Sequence, residues 1–117
     1  NFMNKDATVF LKHILDSINL IEKYTEGLTE EQFLQSTEKQ DVVTRRLEII
    51  GEAIRNLPEE FRDKYPEIAW NKAMGTRNIL IHHYFGINYK TVWDTVIKSI
   101  PEFKKQIEQL LETTSSD

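Results

Sequence analysis

The sequence predicts an all-α fold, an antiparallel bundle of four to five helices around one shared core. Three observations predict it. Apolar residues recur at steps of three and four over long stretches. No stretch alternates apolar and polar residues far enough to make a half-buried strand. The connections between stretches are short and marked by glycine, proline and capping residues, as antiparallel helical neighbours require. With 117 residues, 39% of them apolar and 29% charged, the chain has the balance of a single domain with one modest core. That domain is expected to span residues 1–117, with 1–5 and 113–117 frayed.

The first helix is expected from about Asp6 to Tyr24, because Ala7, Phe10, Leu11, Ile14, Leu15, Ile18 and Ile21 fall on one stripe. Gly27 closes it. His13 lies beside the stripe and reads as a boundary or surface residue. Thr29-Glu30-Glu31-Gln32 has the form of a capping box, so a short helix starts there. A longer one is expected from about Glu38 to Leu57, with Val43, Leu47, Ile50, Ile54 and Leu57 in line. Gly51 inside it costs about 1 kcal/mol relative to alanine, which points to a close neighbouring backbone. Arg45 and Arg46 are expected to pair with Glu48 or Glu52, with a ligand as the alternative partner.

Pro58 stops this helix, and a short turn of helix and a loop lead to Pro66. Trp70 opens the next helical segment, expected to end near Gly86. Beyond it Tyr89, Trp93, Val96, Ile100, Phe103, Ile107 and Leu110 form a stripe that keeps its phase through Pro101. The proline is therefore expected to kink the last helix without ending it.

The charge balance narrows the functional classes. The net charge of -4 argues against coating nucleic acid by bulk attraction, which needs a broadly basic surface. Its distribution is uneven: from Ile68 through Trp93 there is no acidic residue, while Lys72, Arg77, Lys90, His82 and His83 fall there. Such a run fits a local anion site, and it also fits a buried segment that excludes acids. No apolar run approaches the roughly 20 residues that cross a bilayer, and the first residues carry no signal-like pattern, so no membrane association is expected. With no cysteine, disulfides and thiolate metal sites are excluded, which fits a cytoplasmic location. No glycine-rich phosphate loop, zinc-binding H-E-x-x-H or calcium loop is present, and no cofactor or metal is expected.

The chemistry concentrates in Arg77-Asn78-Ile79-Leu80-Ile81-His82-His83-Tyr84. On a helix Asn78 and His82 share a face, and Arg77 and Tyr84 nearly eclipse each other. Arg77 and His82 stand about 140° apart, on opposite flanks of one polar face. A second copy related by a two-fold axis would bring both sets into one cleft. Adjacent His82 and His83 diverge too far to ligate one metal ion, and His83, off the shared face, reads as structural.

Arg77, four residues, His82, one residue and Tyr84 make the R-x4-H-x-Y motif of HEPN-domain ribonucleases. The surroundings resemble their HepT-type toxin branch: Trp70 before the motif, Phe85-Gly86 after it, Tyr89 and Trp93 beyond, and Arg46-Leu47-Glu48-Ile49-Ile50-Gly51-Glu52-Ala53 upstream. The likeness runs from Ala7 to Leu111. Gly75-Thr76 departs from it slightly, where glycine followed by an apolar residue is expected.

This resemblance implies an HEPN-like bundle and a metal-independent RNA endonuclease that is the toxin of a toxin-antitoxin pair and acts as a homodimer. Cleavage without metal needs a base for the 2′-OH, an acid for the leaving oxygen and positive charge on the phosphate. His82 from two protomers can supply base and acid, Arg77 the charge, and Asn78 an orienting hydrogen bond. An ordinary histidine pKa of about 6.5 makes both protonation states accessible. The resemblance further implies a minimal nucleotidyltransferase antitoxin that neutralises the toxin either by transferring AMP to Tyr84, adding negative charge beside Arg77, or by capping the cleft, with Tyr84 then only packing at a helix end. The alternative is a non-catalytic, nucleotide- or partner-binding helical subunit of a nucleotidyltransferase complex.

Overall fold

The computed structural model describes residues 2–73 and 86–115, with side chains over 7–73 and 86–114. The described residues are helical apart from turns, with no strand among them. Helix α1 spans Phe2–Thr25, α2 Glu30–Gln35, α3 Thr37–Asn56 and α4 Glu59–Asp63. Residues 70–73 open a further helical segment. Helix α5, Tyr89–Asp94, runs through a π-helical turn at Thr95–Ser99 into α6, Ile100–Ser115. Helix therefore begins before Asp6 and continues past Thr113, further at each end than the apolar stripes alone give.

Three long rods do most of the packing. Ala7, Leu11, Ile14, Ile18 and Ile21 are fully buried along α1, which packs against α3 and then α6. The pairing of ends shows the directions. Tyr24, late in α1, lies under Lys39, early in α3, and Glu22 reaches Lys104, early in α6, at 2.6 Å. Both α3 and α6 thus run antiparallel to α1, the arrangement expected of a bundle.

Local chemistry sets the joints. Leu28 N–H donates to the Thr25 carbonyl across Gly27, whose φ of +75° only glycine adopts without strain. The capping box forms as expected: Gln32 N–H donates to Thr29 Oγ1 at 3.1 Å, and Thr29 N–H to Gln32 Oε1 at 2.9 Å. Ser36 caps α3 by accepting from Lys39 N–H at 3.2 Å, so that helix starts at Thr37. Buried Gln40 donates to the carbonyls of Phe33 and Leu34, satisfying acceptors that the end of α2 leaves open.

Pro101 does not end the last helix. The turn before it is widened, with Ile100 N–H donating to the Thr95 carbonyl five residues back. Proline has no N–H, and its ring crowds the carbonyl four residues earlier; a π-turn relieves that crowding while the rod continues. Among the described residues, no helix is long and apolar enough to cross a membrane.

Candidate active site

Arg77, Asn78, His82, His83 and Tyr84, the residues singled out from the sequence, all lie outside the described residues. The described structure shows how the chain on either side of them is fixed. Upstream, the buried Trp70 donates its indole N–H to the Tyr65 carbonyl at 3.2 Å. Its ring meets Phe103 of α6 edge-on, with centroids 6.1 Å apart. Ala73 N–H donates to the Ala69 carbonyl, so the chain is already helical as it approaches Arg77.

Downstream, Gly86 has φ +125°, a conformation glycine tolerates and other residues rarely adopt. Asn88 then caps α5 by accepting from Thr91 N–H at 3.2 Å. Tyr89 and Trp93 flank Phe33 of α2, at centroid distances of 6.4 and 5.3 Å. Phe33 is fully buried. The aromatics that bracket the motif in sequence therefore pack into the core, Trp70 against α6 and Tyr89 with Trp93 against α2.

Of the cations expected near an anion, Lys90 has another engagement. Its ammonium donates to Glu30 of α2 at 3.1 Å, and that hydrogen bond, followed by the charge of Glu30, raises the Lys90 pKa above its ordinary 10.5. The acid-free run from Ile68 to Trp93 thus gains a carboxylate from a helix distant in sequence. Arg45 pairs with Glu48 at 3.4 Å, as expected. The half-buried Arg46 instead borders a hollow of about 330 Å³ between α1 and α3, with Leu20, Tyr24 and Val42. His13 is exposed, its ring edge-on to Phe10. Among the described residues, no three His, Asp or Glu side chains gather to hold a metal ion.

A second feature lies outside the motif. A cavity of about 290 Å³ opens between α3, residues 69–73 and the π-turn. Buried Leu47, Ile50, Ile100 and Phe103 form its apolar wall, and exposed Lys72, Lys98 and Glu102 border it. Thr95, Lys98 and Ser99 all come to it from the π-turn. The only sequence signal was Pro101, which marks where the helix must deform.

Residues 14–110 match the family described as "Ribonuclease HepT-like". The chain is 50% identical over 110 residues to a protein of Methanocaldococcus jannaschii named "Gamma-glutamylcyclotransferase and putative RNase", covering 94% of this chain and 50% of that relative. This chain thus spans only half the length of that two-activity protein. It is 45% identical over 107 residues to a "Putative RNase" of the same organism, covering 92% and 88% of the two chains. It is 40% identical over 108 residues to a "Probable ribonuclease HepT" of Thermococcus cleftensis, covering 92% and 98%. No solved structure gives a significant match.

Proposed function

Because the chain belongs to the HepT-like ribonuclease family, we propose that it cuts RNA internally without a metal ion, as a homodimer whose two motifs line one cleft. The observation that carries this reading is the R-x4-H-x-Y spacing of Arg77, His82 and Tyr84 within the matched region. The anchored flanks support it, since a site that positions a phosphate needs rigid chain on both sides.

The reaction balances with the chain's own residues. Neutral His82 of one protomer takes the proton of the 2′-OH as that oxygen attacks phosphorus. Arg77 neutralises the charge gathering on the non-bridging oxygens, and Asn78 holds the phosphate or the imidazole in place. The bond from phosphorus to the 5′-oxygen breaks as protonated His82 of the partner subunit gives its proton to the leaving oxygen. The products are a 2′,3′-cyclic phosphate and a 5′-hydroxyl, and DNA has no 2′-OH to react.

The test is cleavage of RNA in EDTA by the wild type, free of any partner, and by His82→Ala. The expected result is cyclic-phosphate ends from the wild type and a rate at least ~100-fold lower in the variant. RNA left intact by the wild type, or cut only with added metal, overturns the reading.

In this reading the protein is the toxin of a toxin-antitoxin pair, and its antitoxin is a minimal nucleotidyltransferase. The Tyr84 oxygen attacks the α-phosphorus of ATP, pyrophosphate leaves, and the phenol proton passes to solvent. The attached phosphodiester places an anion beside Arg77 and fills the cleft. Intact mass after co-expression with the antitoxin should rise by one AMP, and the increment should disappear in Tyr84→Phe. An increment that survives in Tyr84→Phe, or none at all, excludes this route.

A further inference from the structure

The cavity beside the π-turn lies outside the motif and no step above uses it. We propose that it is a subsite for one unpaired base of the RNA, with the adjoining backbone phosphate held by Lys98. This assignment rests on the ribonuclease reading above and adds to it a source of sequence preference.

Four features point to such a ligand. The cavity's volume of about 290 Å³ is at the small end of ligand cavities, which suits a single base. The wall made by Leu47, Ile50, Ile100 and Phe103 offers apolar surface against which a ring can pack, the interaction that binds splayed-out bases in single-stranded RNA. The rim offers polar groups for a base edge. Glu102 can accept from an exocyclic amine or ring N–H, and Ser99 can donate or accept. Thr95 has no donor to offer, because its hydroxyl already donates to the Thr91 carbonyl at 2.9 Å, so it contributes its methyl group and an acceptor oxygen.

Charge supplies the fourth. Lys98 is exposed and, unlike Lys90 and Lys104, pairs with no carboxylate among the described residues. Its place in the π-turn, with Ser99 beside it, sets a cation next to the apolar wall. The cavity is also close to the motif along the chain. Ala73 lines it, and the four residues from Ala73 to Arg77 span about 14 Å at most when fully extended. A base seated there and a phosphate at Arg77 belong to one short stretch of RNA.

The experiment measures fluorescence anisotropy with short 2′-O-methyl homopolymers, which lack the attacking hydroxyl and stay intact. It compares the wild type with Ser99→Phe, which fills the cavity, and Lys98→Ala, an exposed substitution that leaves the core untouched. The wild type should prefer one homopolymer, and Ser99→Phe should lose that preference and bind it roughly tenfold more weakly. Lys98→Ala should weaken every homopolymer alike and lower the slope of log affinity against log salt by about one. Unchanged affinity, preference and salt slope in both variants overturns the assignment. So does a lower oligomeric state of Ser99→Phe in sedimentation with RNA binding intact, which would make the groove an interface between copies. Cleavage of natural RNA by the same preparations separates the two failures: a wild type that cuts RNA alongside indifferent variants sinks the subsite alone. A wild type that neither binds nor cuts RNA sinks both.

Discussion

At the scale of single residues, Phe33 joins the two halves of the molecule. Its ring is fully buried between α2 and the Tyr89 and Trp93 rings of α5, so it fixes where the chain leaves the motif. Phe33→Ala should cost about 3–5 kcal/mol, the range for deleting a buried aromatic. Urea melts should show it as a lower midpoint at unchanged slope, and an unchanged midpoint would mean that the rings do not carry this joint. Lys104 makes a different kind of contact, donating to Glu22 at 2.6 Å. That hydrogen bond holds the Lys104 pKa above its ordinary 10.5. A raised folded pKa means that the contribution is present in full below 10.5 and lost as pH rises through the folded value. The stability gap between wild type and Glu22→Gln should therefore close as pH is taken from neutral to above that range. A gap constant with pH would assign the contact's effect to packing.

At the scale of elements, much was legible because local rules and tertiary packing agree. The stripes of α1 and α3 and the continuity through Pro101 follow from spacing that the core then buries, and the exposed capping box at Thr29 follows from local hydrogen bonding alone. Ser36 is hard to recognise as a cap from sequence, because it lies between two helices and serves both. Its N–H donates to the Phe33 carbonyl at the end of α2, while its hydroxyl accepts from Lys39 N–H at the start of α3. Ser36→Ala removes only the second of these and should cost about 1 kcal/mol, with Ser36→Asp recovering most of it. Thermal melts of the two variants test this, and equal losses in both would show that the hydroxyl is not the cap. The π-turn was illegible for a physical reason. Proline announces a missing donor, but kink, break and widened turn all accommodate it, and the spacing of apolar residues does not select among them. The cavity is bordered by that turn, so no sequence spacing announced it. The Lys90–Glu30 pair was equally hidden, since sixty residues separate its members.

At the scale of the whole molecule, the question is whether one chain holds a site or half of one. A helix over residues 77–84 would put Arg77 and His82 on opposite flanks of one face, and the proposed reaction asks for an imidazole on each side of the phosphorus. Both conditions are met when two protomers share a cleft, and a two-fold axis provides this without any new contact type. The hypothesis makes a quantitative demand on mixed dimers. Wild-type chains refolded with rising proportions of His82→Ala form three kinds of dimer, and only the fully wild-type kind has both base and acid. Cleavage per total protein should then fall as the square of the wild-type fraction, to roughly a quarter at an equal mixture. If each protomer carried a complete site, activity would fall in proportion to that fraction, and the equal mixture would keep about half. Sedimentation of the same mixtures should show a dimer at every ratio, which separates loss of the acid or base from loss of assembly. A linear dependence on the wild-type fraction would return the whole reaction to a single chain and require one His82 to serve in turn as base and acid.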